Sequence, residues 1–172
     1  MTIRSVVRLD DSRFPNADIY NVRLKNEVEN GFVGKLGEIE KKNRDVRALE
    51  TPVAGDSLVL IANPAIVYDN GRLGSGVETN YFMEADEVVT AYAPKATFVF
   101  GVSEAGISGT AVEDGYVVAG AGNKLVAAAV APEAGTTGFI GKVVRFDQIG
   151  GALSLNVEQK PTRYVVIDTI QN

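Results

Sequence analysis

The apolar runs of this chain are short, and most are cut within about ten residues by Gly, Pro or an Asn/Asp turn. That spacing leaves no room for long amphipathic helices and suits strands of five or six residues joined by turns. "TFVFGVS" (97–103) and "RYVVIDTI" (163–170) are rich in β-branched and aromatic residues, which fit a pleated surface. In the second, Tyr164, Val166 and Asp168 share one face, and Val165, Ile167 and Thr169 the other. "FVGKLGEIE", the polar "KKNR" and "DVRALE" read as a hairpin, and "SLVLIA" as a buried strand bounded by Pro64. "YVVAG" and "KLVAAAVA" read as another hairpin; Val residues interleave the Ala run and Pro132 ends it, which favours strand. "FIGKVVRFD", "ALSLNVEQ" and "RYVVIDTI" close the chain as three strands. Residues 63–87 read as a long loop or β-excursion, and "SEAGISGTAVEDG" as loop with room for one helical turn.

The sum is about ten short strands, which predicts an all-β protein, a small β-barrel or β-sandwich with an extended N-terminal arm. Residues 1–30 read as that arm or an edge segment: Phe14, Ile19, Tyr20, Val22 and Leu24 are apolar islands among charges, and "RFPNAD" is a turn. Their pattern predicts that they stay out of the centre of a core. Residues 31–172 form the β-rich body, divisible into two related modules at about 31–92 and 93–172.

Of the 172 residues none is Cys or His. Thiol nucleophiles, disulfides, Cys/His zinc sites and histidine acid–base catalysis are therefore excluded. The start of the chain lacks the apolar core of a signal peptide, and no apolar run reaches the ~18 residues of a membrane span. Residues 1–50 carry ten Lys/Arg against nine Asp/Glu, whereas residues 51–172 carry seven against thirteen. An acidic body argues against nonspecific nucleic-acid binding, and a charge-mixed N-terminal third suits docking on another protein. No membrane or nucleic-acid partner is expected.

One phrase occurs twice: "GFVGKLG" at Gly31–Gly37 and "GFIGKVV" at Gly138–Val144. A phosphate loop would need Gly five residues before the inner Gly and Ser or Thr after the Lys. The chain has Glu29 and Thr136 at the first position, Leu36 and Val143 at the second. The phrase instead reads as a turn feeding a strand, its inner Gly allowing a bulge or close backbone approach. Two origins remain open, related modules or chance. "GAGNKL" (Gly120–Leu125) lacks the third Gly of a dinucleotide fingerprint and reads as a hairpin turn.

Glu84, Asp86 and Glu87 cluster, and Glu113 and Asp114 adjoin, but neither group has the spacing of a cation loop. They read as solvated acids; a carboxylate hydrolase at Glu84–Glu87 would need two carboxyl groups flanking a cleft. No enzyme activity, catalytic residue, metal or cofactor is expected. The aromatics Phe14, Tyr20, Tyr68, Tyr81, Phe82 and Tyr92 lie in or beside the less regular segments. Phe14 and Tyr20 read as interface residues and Tyr92 as a cap on an open barrel end. With Arg4, Arg8, Arg13 and Arg23 they make the candidate interface, since Arg and aromatic residues anchor interfaces. An alternative is a binding module whose loop "YDNGRLGSGVETNYF" recognises carbohydrate or a host surface.

Gly115–Gly120, Lys124-Leu125, Thr137–Val143 and Tyr164–Ile167, with "EVVTAYAPKATFVFGVSEAGISG" (Glu87–Gly109) before them, resemble the C-terminal pattern of capsid decoration (cement) proteins. These are virion-associated head proteins of tailed bacteriophages. The resemblance spans roughly residues 80–172 and rests on structural motifs. It implies a β-rich homo-oligomer, a trimer or dimer, that binds the lattice of the major capsid protein at the capsid surface after synthesis in the host cytoplasm. No catalytic residue carries over, because the family has none.

Overall fold

The computed structural model describes residues 4–9, 16–65, 80–133, 137–149 and 162–172. They form twelve strands: β1 (Val7–Arg8), β2 (Ala17–Arg23), β3 (Val33–Ile39), β4 (Val46–Glu50), β5 (Val59–Ile61), β6 (Val88–Pro94), β7 (Val99–Ser103), β8 (Ile107–Ser108), β9 (Tyr116–Val118), β10 (Leu125–Ala128), β11 (Ile140–Ile149) and β12 (Thr162–Gln171). The chain is all-β, as its turn spacing predicts, and a 3₁₀ turn at Glu104–Gly106 falls inside the segment given room for a helical turn. No helix among the described residues is long and apolar enough to cross a membrane. The expected strand at residues 152–159 and most of the loop at 63–87 lie outside the described residues.

Five strands close a barrel in the order β2-β4-β3-β5-β6, with β6 pairing back onto β2. β2 and β4 run parallel; the other pairs are antiparallel. The predicted hairpin around "KKNR" is β3–β4, and its register shifts between Leu36 and Ile39. The N-terminal stretch departs from the expected arm. Residues 17–23 are not kept out of a core but form β2, between β4 and β6, and Val22 and Leu24 are 0% and 1% exposed in the barrel interior. Three of the apolar islands are one face of a strand: Tyr20, Val22 and Leu24 recur every second residue, and the polar residues between them point outward.

The other seven strands form one sheet, β1-β7-β12-β11-β9-β10-β8. β7 and β8 are five steps apart in this order, so a flat sheet would hold them roughly 24 Å apart at ~4.8 Å per step. Ser103 and Ile107 are joined only by the three residues of the 3₁₀ turn, a span of at most about 14 Å. The sheet must therefore curl, and it wraps a core of Phe98, Phe100, Val102, Val117, Leu125, Phe139, Val143, Val165 and Ile167.

β5 joins the two halves. Val59 and Ile61 point into the barrel, while Leu58 and Leu60 on the other face enter the core of the curled sheet together with Val33 of β3. The alternation of side chains along one short strand thus buries both of its faces.

Candidate protein interface

Of the six residues singled out from the sequence, four lie among the described residues: Arg4 in the N-terminal segment, Arg8 in β1, and Tyr20 and Arg23 in β2. The Arg4 guanidinium donates to Glu27 at 2.5 Å and Glu29 at 3.3 Å and lies 4.0 Å from the centre of the Phe82 ring. The next residue, Ser5, is fully buried and gives its N–H to the Glu29 carboxylate at 2.7 Å. Val6 and Ser103 then exchange hydrogen bonds, Val6 N–H to Ser103 Oγ and Ser103 N–H to the Val6 carbonyl, both at 2.9 Å. The N-terminal segment is a strap laid across the barrel and the sheet. Arg8 in β1 sits 5.5 Å over the Tyr164 ring. Arg13 and Phe14 lie outside the described residues.

Tyr20 and Arg23 share β2 but, three residues apart, face opposite ways. Tyr20 turns toward the barrel mouth and packs on the interior cluster. Arg23 points outward, donating through Nε and Nη2 to Glu40 at 2.5 and 3.3 Å and through Nη1 to the Asp86 carbonyl at 2.7 Å. The hydrogen bond that Arg23 donates to Glu40 leads the causes that raise the Arg23 pKa. Arg4 and Arg23 thus hold strap and barrel together within the chain.

The repeated phrase is a repeated piece of structure. Gly31 and Gly138 both take positive φ, 81° and 84°, two residues before β3 and β11 begin; this region disfavours any side chain. The inner glycines lie under a facing strand: a Cβ at Gly34 would sit 2.3 Å from Leu49 Cδ1, and one at Gly141 2.5 Å from Ile167 Cγ2. The lysines that follow both make 2.8 Å ion pairs, Lys35 with Asp56 and Lys142 with Asp114. The Lys35 hydrogen bond is the first cause lowering the Asp56 pKa, and the reciprocal bonds raise both lysines. "GAGNKL" is a hairpin turn between β9 and β10, as read, and it docks on β3: Asn123 accepts from Val33 N–H at 2.8 Å and returns its side-chain N–H to the Val33 carbonyl at 3.0 Å.

The acids of "MEADE" close a turn beside β6. Glu84 N–H donates to the Glu87 carboxylate at 3.0 Å, and Leu24 bonds the backbones of Asp86 and Glu87. Among the described residues no three His, Cys, Asp or Glu gather to hold a metal. Of the carbohydrate-loop aromatics, Tyr81 is buried in the barrel cluster, Phe82 lies beneath Arg4, and Tyr68 is outside the described residues.

A surface that the sequence reading missed lies on the outer face of the barrel. Cross-strand pairing places Val33 beside Leu60, Leu60 beside Tyr92 and Tyr92 beside Ile19. Directly opposed residues share a face, so these four make one apolar row across four strands. The curled sheet covers Val33 and Leu60, Tyr92 is half-buried at its margin, and Ile19 is 65% exposed. On the same two strands Val88, paired with Arg23, is also exposed. Period-two alternation at Ile19–Asn21–Arg23 was the available signal, but it does not say which face meets solvent.

No protein-family model, no curated protein and no solved structure matches this chain.

Proposed function

We propose that the chain is a structural virion protein that binds the outer surface of an assembled bacteriophage capsid and stabilises it as a decoration or cement subunit. The observation that carries the reading is the apolar row that leaves the cover of the curled sheet and reaches solvent at Ile19, with Val88 and Arg23 alongside. Exposed apolar side chains flanked by polar groups favour a protein partner. The resemblance to cement proteins supports the same reading. Its motif strands β9, β11 and β12 are neighbours in the curled sheet, and its Glu87–Gly109 segment adds β7 of that sheet and β6, the barrel strand that carries Val88 and Tyr92. Modest contacts repeated over a symmetric lattice add up through avidity, and the partner is the major capsid protein.

Sedimentation of the purified chain with undecorated capsids tests this. Co-sedimentation at a saturating, symmetry-matched stoichiometry is expected. Ile19→Glu should abolish it with little change in thermal stability, because exposed substitutions usually stay within about 0.5 kcal/mol. A wild-type chain that stays in the supernatant overturns the reading.

A further inference from the structure

A groove of about 520 Å³ opens at the barrel mouth, where the loop before β5 meets the end of β12. Its size falls in the range of small-molecule sites. Leu36, Val59 and Ala93 give it an apolar floor, and Tyr20 adds a half-buried aromatic ring with a hydroxyl. Lys35, Asp56 and Ser57 bring polar groups to the same space.

The charges restrict the occupant. Lys35 and Asp56 are paired at 2.8 Å, so the groove presents a neutral pair rather than a net charge. An anion would have to compete with Asp56 for the lysine, and a cation with Lys35 for the carboxylate. Hydrogen-bonding capacity is nevertheless left over. A lysine ammonium has three donors, and Lys35 spends one on Asp56. Asp56 accepts Lys35 on one oxygen and Val53 N–H on the other, and each oxygen keeps a second lone pair. Ser57 is exposed and adds a hydroxyl. Donors, acceptors, an aromatic face and an aliphatic floor with no net charge match a ligand that alternates hydroxyls with C–H faces.

The second copy of the repeated phrase serves as an internal control. Lys142 and Asp114 make the same 2.8 Å pair, but the Asp114 side chain is 82% exposed, against 16% for Asp56. Each pair has a tyrosine near it, Tyr20 for the first and Tyr116 for the second, but only the first has its carboxylate recessed.

We propose that this groove is a saccharide site, taking a neutral mono- or disaccharide with one ring face on Tyr20 and hydroxyls on Lys35, Asp56 and Ser57. The site is separate from the exposed row ending at Ile19 and does not depend on the capsid reading.

The test is a titration of the ¹⁵N-labelled full chain, followed by amide chemical shifts. The probes are glucose, galactose, N-acetylglucosamine and their β-1,4 and α-1,4 disaccharides, with inorganic phosphate in parallel. Saturable shifts centred on Tyr20, Lys35, Ser57, Ala93 and Asn172 with at least one sugar are expected. Tyr20→Ala should weaken that binding at least about tenfold, the loss of one good contact. Ser57→Trp, at an exposed position, should block the groove while shifts elsewhere stay in place, so a folding defect in the first variant does not decide the outcome. Absence of saturable shifts with every sugar overturns the proposal. Shifts centred elsewhere, binding that survives Ser57→Trp, or phosphate competing at the same residues would overturn it equally.

Discussion

Asn172 pairs its side-chain amide with the backbone of Leu58, accepting from the Leu58 N–H at 2.5 Å and donating to the Leu58 carbonyl at 2.9 Å. The same Nδ2 also reaches the Pro94 carbonyl at 3.0 Å. One amide thereby continues a β-ladder from the end of β12 onto two strands of the barrel. Asn172→Ala should cost about 1–2 kcal/mol, a fall of roughly 2–8 °C in Tm by circular dichroism. Asn172→Asp should cost more, because it sets a negatively charged carboxylate oxygen against the Leu58 and Pro94 carbonyl oxygens that the amide N–H groups now satisfy. Equal stability of all three proteins would show that the clamp contributes nothing.

Three glycines of the repeated phrase should differ in sensitivity. A Cβ at Gly138 would meet the Gly55 backbone at 2.4 Å, and φ there is 84°. Gly138→Ala combines backbone strain with a clash that has no flexible partner, and should cost about 2–4 kcal/mol. Gly141→Ala presses on Ile167, Val117 and Phe139 in the packed sheet core and should cost about 1–3 kcal/mol. Gly34→Ala meets Leu49 alone, Cδ1 at 2.3 Å and Cγ at 2.7 Å, and because one side chain can shift more readily than three it should be the mildest of the three. Urea denaturation of the three variants checks the order.

The Lys35–Asp56 pair defines a pH window. Asp56 is held below its ordinary value of 3.8, so its contribution is present above that value and disappears as pH falls through the lowered folded pKa. Lys35 is held above 10.5, so its contribution is present below that value and disappears as pH rises through the raised one. The Tm difference between wild type and Lys35→Ala should be level across neutral pH and shrink at both extremes. Added salt should reduce it throughout, because the pair is accessible to solvent. A difference indifferent to both pH and salt would assign the effect to packing of the lysine stem instead.

Truncation should separate the strap from the barrel. Removing residues 1–8 takes away Arg4, Ser5 and β1 but leaves every barrel strand. That protein should fold with a lower Tm. Removing residues 1–24 also deletes β2, the strand that β4 and β6 both pair with, and should abolish the cooperative transition in circular dichroism. A cooperative transition in the longer truncation would show that the barrel closes without β2.

The strands were legible wherever turn residues and alternation agreed, as in β3–β4, β7 and β12. Tyr20, Val22 and Leu24 carried the right period for β2, but the charges between them resemble a solvated arm until a second strand is supplied on each side. β4, the parallel partner, starts 23 residues after β2 ends, and no local pattern announces such a pairing. The repeated glycines were visible as turn and close-approach signals. The aspartates that complete the pattern were not, since Asp56 lies 21 residues beyond Lys35 and Asp114 precedes Lys142. Nor could alternation alone tell that Leu60 is covered by a second sheet while Ile19, in the same row, is not.

β5 is three residues long and has a foot in each apolar core. Neither half can loosen without exposing the side chains that this strand lends to the other. Among the described residues there is therefore no seam at β5 where a pulling force would leave an intact core on either side. Load applied to the barrel face is carried through β5 as shear into the curled sheet. A chain built this way couples the packing of its barrel to the packing of its curled sheet.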